Sequence, residues 1–344
     1  MFIVSIIFMM LSETYVNLML SRLLQGMSIG LLLVVIPIYI AETSMPKYRG
    51  RIMGIFQLAL VMGIFLANLF AGLFVEDYGW RFIFGLIVPF AALLFVVSMI
   101  VPFSPSWLLL KGRNVQAVSV GEKLSLNIDG SMGARDNVGF IELVKMIFVK
   151  KYYISIAFIS LLAILNGFVG VNTFLTYGPT IFEEIRGCTQ CGSGHYGTAL
   201  TLINLIATVF GMLLVDVLGR KKLIIGGLLI AFVSMSVLIY MLTMANINGM
   251  LIMLIFVVFG AAVGPGVCIW LILSEVLPVH IRGIGISVAL ASKALVESVF
   301  ISSFLGVADV YGFAPVFYFM GVCMLVFAAL VYKFLPEMTN KELS

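Results

Sequence analysis

Charged residues are scarce in this chain of 344 residues, where Asp, Glu, Lys and Arg together make up 10%. A soluble globular domain carries about 25%, so the chain cannot supply the charged surface that a soluble fold needs. Its four cysteines are too few for a disulfide framework and show no four-ligand zinc spacing. A net charge of +4 is too weak to indicate nucleic-acid binding. These shortages exclude a cytosolic enzyme, a disordered regulator and a secreted disulfide scaffold.

Apolar residues are abundant instead: 62% of the chain is hydrophobic and the mean hydropathy is +1.19. A helix needs about 20 apolar residues to cross a bilayer. Nine windows meet this requirement: 17–41, 52–75, 82–101, 152–182, 197–216, 223–245, 249–274, 283–306 and 313–334. These runs are continuous, whereas the strands of a membrane β-barrel alternate with a period of two. The sequence therefore predicts an all-α, multi-pass protein of the lipid bilayer.

Basic residues are distributed unevenly between the links. Sixteen of the 20 lie in one alternating set of links and in the C-terminal tail, whereas the opposite set holds only Arg81 and Arg186. Lys and Arg are retained on the cytoplasmic side of membranes. We therefore expect the basic links and the C-terminus to be cytosolic. The expected location is the plasma membrane.

An internal repeat relates the two parts of the chain at a shift of about 233 residues. Segment 42–50 recurs as 275–283, each with Glu seven positions before an Arg-Gly pair, and the Tyr-Gly of 78–79 recurs at 311–312. Parallel repeats of this kind form the two six-helix halves of major facilitator transporters. The sequence thus predicts that fold, with two pseudo-repeated helical halves.

The same shift predicts which helices are present. Window 223–245 maps onto positions before and around Met1, so the short apolar stretch 1–12 is interpreted as the end of a third helix, and about 10 of 12 helices are expected. The predicted divisions are a truncated N-terminal half, a cytosolic loop between the halves, a six-helix C-terminal half and a short cytosolic tail: 1–101, 102–151, 152–336 and 337–344.

Over nearly its whole length the chain resembles the sugar porter family of the major facilitator superfamily. The matching motifs are Arg22-Leu-Leu-Gln-Gly26, Pro37 to Glu42 with Arg49-Gly50, Pro102 to Trp107, Gly170-Val-Asn172, Asp216 to Lys221, Gly264-Pro265-Gly266 with Trp270, Glu275 to Arg282-Gly283, and Pro336 to Thr339. Such porters carry hexoses or related polyols by alternating access, as uniporters or as proton symporters. The resemblance implies a sugar substrate, with protons in the symporter case, and neither a cofactor nor an obligate protein partner.

Two departures from the family pattern fall inside predicted spans. The seventh-helix signature, usually Gln-Gln-x-x-Gly-x-Asn, reads 166–172 Asn-Gly-Phe-Val-Gly-Val-Asn, and Lys293-Ala294 stands where an Asn-Trp pair is usual. These departures leave open a non-sugar polar organic solute as the substrate. A transport-inactive truncated paralogue is a second alternative, and a sugar sensor is a less favoured third.

Polar residues inside the apolar spans are the candidates for the substrate site. Amides supply the donors and acceptors that sugar hydroxyls need, and Trp offers an apolar face to a sugar ring. The candidates are Gln57, Asn166, Asn172, Asn204, Trp270 and Lys293. The alternative is that the amides join helices through interhelical hydrogen bonds.

Lys293 and Glu297 are four residues apart, and thus on one face of their helix. A lone charge at the bilayer centre costs about 2.5–3.5 kcal/mol, which pairing reduces. The pair either lines the cavity, where Glu297 could titrate with transport, or neutralises itself and adjusts helix packing.

A cytosolic cluster of charges is the candidate gate. Its members are Glu42, Arg49, Asp216, Arg220, Lys221, Glu275 and Arg282. The resemblance implies salt bridges between the halves that break as the site turns inward, and partly exposed pairs of about 0–1 kcal/mol each suit such a switch. Retention of basic residues in the cytosol is the simpler alternative.

Gly264, Pro265 and Gly266 interrupt the tenth span and predict a hinge, with a static kink as the alternative. Cys188 and Cys191 lie near His195 in an outer link and indicate a local disulfide or thiols rather than a metal site.

Overall fold

The computed structural model of the chain describes residues 1–45, 49–124, 126, 150–186, 193–244, 246–275 and 281–335. Every regular element in these ranges is helical, as a bilayer demands of apolar runs whose backbone groups must be bonded internally. The prediction of an all-α chain is confirmed. The elements are α1 (Phe2–Met10), α2 (Tyr15–Thr43), α3 (Arg49–Gly85), α4 (Val88–Ile100), α5 (Pro105–Leu110), α6 (Asn114–Lys123), α7 (Lys150–Phe168), α8 (Val171–Arg186), α9 (Ser193–Leu218), α10 (Arg220–Thr243), α11 (Ile247–Ala261), a π-helical segment (Ala262–Gly266), α12 (Val267–Glu275), α13 (Arg282–Tyr311) and α14 (Phe313–Phe334).

Eight stretches of the described chain are long and apolar enough to cross a membrane. The longest, Ile52–Ile100, has 49 residues, about twice the length that one crossing needs. It contains two of the predicted windows, 52–75 and 82–101, and its helix α3 is interrupted at Gly79. The stretches thus agree with the nine windows once the longest is divided at this interruption.

Glycines at two equivalent points of the repeat produce the same backbone bend. Gly79 has φ 73° and ψ 171°, and Gly312, which separates α13 from α14, has φ 79° and ψ 170°. This region of backbone space is essentially restricted to glycine. Each Tyr-Gly landmark therefore marks a structural break, and the sequence repeat is also a repeat of local structure.

The chain divides into two compact units. One comprises Met1–Met53 and Leu69–Lys145, and the other comprises Gly54–Asn68 and Met146–Ser344. In the first unit, α1 packs against α2 and α4. In the second unit, α10 packs against α11 and α14, and α7 packs against α13. The domain limits drawn from the sequence stay a prediction.

Glycines bring the backbones of α10 and α11 into direct contact in the second unit. A Cβ atom added at Gly227 would lie 2.5 Å from the carbonyl oxygen of Gly260, and one added at Gly260 would lie 2.7 Å from that of Gly227. Real Cβ atoms do not approach backbone so closely. This pair of helices therefore tolerates only glycine at its crossing, as interfaces of small residues in membranes do.

Candidate functional site

Three polar side chains meet inside the membrane-spanning stretches of the second unit. The Asn172 Nδ2 atom donates a hydrogen bond of 2.7 Å to Oε1 of Glu297, and Lys293 Nζ donates one of 3.1 Å to the other carboxylate oxygen, Oε2. We call these residues the polar trio. The side chains of Lys293 and Glu297 are 22% and 13% exposed, and Asn172 is exposed. The trio thus joins α8 to α13 and remains accessible.

Local backbone geometry positions the trio. Lys293 and Glu297 are one turn apart on α13. Gly170 takes φ +86° between α7 and α8, which places Asn172 in the first turn of α8. A side chain at Gly170 would collide with Met320. Glycine is therefore required here for the bend, whereas the terminal methyl group of the flexible Met320 side chain can move aside.

A second glycine, Gly167 of α7, lies beside the carboxylate side chain, where a Cβ atom would make ordinary van der Waals contact. A Cβ atom added at Gly167 would lie 3.5 Å from Cβ of Glu297. Beyond the trio, the Tyr177 hydroxyl donates to the carbonyl of Ile301 over 3.1 Å, and its ring stacks on Phe304 with centroids 5.5 Å apart. The contacts of α7 and α8 with α13 therefore extend well beyond the polar groups.

Electrostatics explain why these residues are together. The ammonium of Lys293 and the carboxylate of Glu297 neutralise each other, and each carboxylate oxygen accepts one hydrogen bond. A buried charge is tolerated in a membrane when it is paired in this way. Sequence spacing identified the ion pair, but it missed the bond from Asn172, which lies 125 residues away in the chain. A third polar residue within an apolar span was the only signal for it.

The aromatic candidate Trp270 packs against a segment of α3 that belongs to the same unit. Its ring meets Phe56 edge to face, with centroids 5.4 Å apart and an interplanar angle of 90°, an arrangement favoured by the ring quadrupoles. Gln57 follows Phe56 directly and is half-buried. An aromatic pair and an amide are therefore neighbours along this wall of the unit.

The two remaining amides stand apart from the trio. Asn166 is half-buried in α7, and Asn204 in α9 is 4% exposed. Within the described residues, neither these amides nor Gln57 forms a hydrogen bond with Asn172, Lys293 or Glu297. Of the predicted site residues, the structure thus brings together Asn172 and Lys293, with Glu297 between them.

The predicted gate is described only in part. The carboxylate of Glu42 accepts a hydrogen bond from the Ser104 hydroxyl, and Lys221 Nζ lies 5.3 Å from the ring centroid of Tyr332. Arg220 begins α10 and is half-buried. The other gate side chains lie outside the described residues: Arg49, Asp216, Glu275 and Arg282. The gate therefore stays a prediction.

The predicted hinge residues form a π-helical segment, Ala262–Gly266, between α11 and α12. Pro265 has no N–H to donate, and π segments accommodate such interruptions within a helix. A Cβ atom added at Gly264 would lie 2.7 Å from the carbonyl oxygen of Leu223 in α10. This glycine therefore has a packing role, and motion at the segment stays a prediction.

The described residues contain no candidate metal site. They contain no group of three or more His, Cys, Asp or Glu side chains that could hold a metal ion. Cys188 and Cys191 lie outside the described residues, as does the side chain of His195.

A comparison with protein families matches residues 1–344 to the family described as Sugar (and other) transporter. The glucose transporter GlcP of Staphylococcus epidermidis is 28% identical, over 99% of this chain and 78% of that protein. The galactose-proton symporter of Escherichia coli K12 is also 28% identical, over 95% of this chain and 73% of the symporter's length.

Comparison with solved structures identifies the fold. The proton:xylose symporter XylE, a major facilitator protein bound to 6-bromo-6-deoxy-D-glucose, superposes with a TM-score of 0.79. The two chains are 25% identical, and the match covers 95% of this chain and 72% of XylE. The fold predicted from the internal repeat is therefore confirmed.

Proposed function

The chain belongs to the Sugar (and other) transporter family, and from this premise we propose that it carries a monosaccharide across a bilayer by alternating access. Proteins of this family are transporters rather than enzymes. The observation that carries the proposal is the family match, which spans residues 1–344 and is accompanied by a major facilitator fold. Relatives named for glucose, galactose and xylose support a sugar as the solute.

The sugar would be held by the polar and aromatic groups of the second unit. Asn172 and Gln57 supply amide donors and acceptors, and Trp270 supplies an aromatic face. Asn166 and Asn204 are further candidate contacts, and Lys293 adds a charged donor. Such groups are rare in apolar spans because each is costly there, so their presence supports a binding role.

Movement of the site between the two sides would use the remaining predicted features. The cytosolic charges around Glu42, Arg220 and Lys221 are proposed to stabilise one conformation, since weak ion pairs can form and break at little cost. The π-helical segment that contains Pro265 is proposed as the bending point, because it interrupts the α-helical pattern of hydrogen bonds between α11 and α12.

The relatives bear on whether sugar transport is coupled to protons, and the charge distribution bears on the orientation of the chain in the membrane. Galactose-proton and xylose-proton symporters among the relatives favour coupling to protons over uniport. The excess of Lys and Arg in one set of links favours a cytosolic C-terminus, and the plasma membrane is the proposed location. An imposed inward proton gradient should then drive labelled sugar above its external concentration, whereas an uncoupled carrier only equilibrates it.

Uptake by purified protein in liposomes tests the transport proposal. Labelled D-glucose, D-galactose and D-xylose are offered to liposomes that contain the 344-residue chain, and at least one should enter faster than into protein-free liposomes. Trp270→Leu should lower uptake about tenfold, because it removes the aromatic face. Trp80→Leu is the matched control, since Trp80 is 40% exposed in the other unit. Uptake of none of the three sugars above the protein-free level would contradict the proposal.

A further inference from the structure

We propose that the segment after α4 is a binding surface for the headgroup of an anionic phospholipid. Its members, which we call the interfacial patch, are Phe103, Trp107, Lys111 and Arg113. The inference goes beyond the proposed function and does not depend on it, because it assigns a lipid partner to a surface of the first unit, outside the candidate substrate site.

The end of α4 places the patch at the level of the lipid headgroups. The longest apolar stretch ends at Ile100, and the side chains of Met99 and Ile100 are 71% and 76% exposed. Three residues of extended chain span at most about 11 Å, which is therefore the largest distance between this end and Phe103. The headgroup layer is about 5–8 Å thick on each side of the hydrocarbon core. Phe103 thus lies in this layer or directly next to it.

Two aromatic rings form the apolar part of the patch. Phe103 and Trp107 stack with ring centroids 5.1 Å apart and an interplanar angle of 21°. The two residues are 64% and 39% exposed. Trp is enriched where the hydrocarbon core meets the headgroups, because its ring is apolar and its N–H is polar. An exposed aromatic pair at this depth therefore indicates contact with lipid.

Basic residues form the polar part of the patch. The Nζ atom of Lys111 lies 6.0 Å from the ring centroid of Trp107, Arg113 follows two residues later, and both basic residues are exposed. Segment 101–123 contains three basic residues and one acidic residue, Glu122. Neither Lys111 nor Arg113 forms an ion pair with any residue that the structure describes. Two cations thus lie beside the aromatic pair without a carboxylate to neutralise them.

Helix α2 holds the patch in place. The Ser104 hydroxyl accepts a hydrogen bond of 3.4 Å from the backbone N–H of Trp107, which caps α5, and it donates one to the carboxylate of Glu42 in α2. The Tyr39 hydroxyl, also in α2, donates to the carbonyl of Pro102 over 2.8 Å. The rings and the cations are therefore presented in a fixed arrangement at the end of the span.

An anionic phospholipid matches both parts of the patch. Its glycerol and upper acyl region can contact the rings, while its phosphate accepts hydrogen bonds from Lys111 and Arg113. A zwitterionic lipid has the same phosphate but also carries an ammonium group, which repels the two cations. An acidic soluble protein would neutralise the cations but would not explain aromatic side chains at the depth of the headgroups. Charge and depth together thus favour the anionic lipid.

Fluorescence quenching in vesicles tests this inference. The chain has three tryptophans, so Trp80→Phe combined with Trp270→Phe leaves Trp107 as the only one in the full chain. The vesicles contain equal amounts of phosphatidylcholine and phosphatidylglycerol, and bromine is placed on the acyl chains of one lipid or of the other. We expect brominated phosphatidylglycerol to quench Trp107 at least about twofold more strongly than brominated phosphatidylcholine, because each basic residue near the surface attracts the anionic lipid.

Charge variants assign this preference to the patch. Lys111→Gln combined with Arg113→Gln should make the two quenching levels equal, because the rings do not distinguish the headgroups. Lys333→Gln is the matched control. Lys333 is also exposed at the end of a span, with its Nζ atom 5.3 Å from the ring centroid of Phe334, but it belongs to the other unit. Its replacement should leave the quenching of Trp107 unchanged.

Thermal unfolding provides a second measurement if the chain with a single tryptophan folds poorly. In detergent, added phosphatidylglycerol should raise the Tm of the unaltered chain more than added phosphatidylcholine does. The difference should vanish in the double variant Lys111→Gln, Arg113→Gln and persist in Lys333→Gln. Equal shifts of the unaltered chain with the two lipids would contradict the inference.

Three results of the quenching experiment would overturn the inference. The first is equal quenching by the two brominated lipids, and the second is a preference for phosphatidylglycerol that persists without Lys111 and Arg113. The third is quenching by neither lipid, which would place Trp107 outside the membrane and leave an acidic protein as the partner of the cations.

A further control distinguishes a lipid headgroup from a free phosphate. Inorganic phosphate should lower the preference no more than sodium chloride does at the same ionic strength, and a specific loss with phosphate would overturn the lipid assignment. None of these measurements uses a sugar. Their failure would therefore leave the proposed transport untouched, and an absence of sugar uptake would leave the lipid surface untouched.

Discussion

Within the second unit, the pair α10–α11 and the helix α13 show two different ways of building a membrane helix. The most apolar window of Ile247–Leu273 is 67% buried, whereas that of Gly283–Tyr311 is 17% buried. The first stretch contacts its neighbour through glycine backbone, and the second carries an ion pair and many exposed apolar side chains. The close backbone packing and the intramembrane ion pair thus lie on different helices of one unit.

The difference follows from what each helix can gain in lipid. Apolar side chains gain little by leaving lipid for another apolar helix, so tight association requires close backbone approach. Gly227 and Gly260 allow that approach. The helix that carries Lys293 and Glu297 adds polar contacts, such as the bond from Asn172, to the packing of its apolar and aromatic side chains. We therefore expect substitutions of the same chemical size to have very different effects in the two regions.

The largest expected effect is at the crossing of α10 and α11. Gly227→Ala places a Cβ atom 2.5 Å from the Gly260 carbonyl oxygen, so the two backbones must separate, at a cost of about 3 kcal/mol. Thermal unfolding of the protein in detergent measures the loss. Gly226→Ala, at the residue before Gly227, is the control, because no described heavy atom lies within 4 Å of a Cβ atom at Gly226. Equal stability of the Gly226→Ala and Gly227→Ala proteins would mean that this crossing is not tightly packed.

The next largest effect is expected on α13. Glu297→Leu leaves Lys293 charged and unpaired within the membrane, which costs about 3 kcal/mol. Adding Lys293→Met should restore most of the stability, because replacement of both members of an ion pair by apolar residues is often neutral. A thermal-shift measurement on the two single variants and the double variant gives the coupling between the residues. Additive losses would show that the pair does not stabilise the fold.

Much of this architecture is predictable from the sequence, because bilayer constraints act on local patterns. Continuous apolar runs leave helices as the only choice, and the Tyr-Gly landmarks at 78–79 and 311–312 correspond to equal backbone bends at Gly79 and Gly312. A bend that only glycine adopts is encoded by one residue. Its recurrence is therefore visible without a structure.

Contacts between distant residues are less predictable. Spacing along one helix indicates the pairing of Lys293 with Glu297, but no local pattern specifies that Asn172 completes the trio. Likewise, Gly227 and Gly260 read separately as ordinary glycines of membrane helices. Their meeting depends on how α10 crosses α11, which is determined by the packing of the whole unit.

A smaller effect is expected at a second hydrogen bond between α8 and α13, the one from Tyr177. Tyr177→Phe removes the bond to the Ile301 carbonyl and keeps the ring that stacks on Phe304. Interhelical hydrogen bonds in membranes contribute about 0.6 kcal/mol on average. Thermal unfolding should therefore shift slightly, and Tyr318→Phe, at an exposed position, should cause no shift. A loss as large as that expected for Gly227→Ala would indicate that α13 is held chiefly by this bond.

The smallest effect, and one of opposite sign, is expected at Gly306 of α13. No described heavy atom lies within 4 Å of a Cβ atom added there, so the new methyl group of Gly306→Ala meets no obstacle. Because alanine restricts the unfolded chain more than glycine does, the folded protein should become more stable by at most about 0.5 kcal/mol. At Gly260 of α11 the same substitution meets the Gly227 carbonyl oxygen at 2.7 Å and should destabilise. Thermal unfolding of the two proteins, side by side, compares one methyl group in the two settings. If Gly306→Ala destabilises the protein as much as Gly260→Ala does, another molecule must cover the exposed face of α13 in the membrane. The contrast between α11 and α13 would then not reflect two kinds of helix packing.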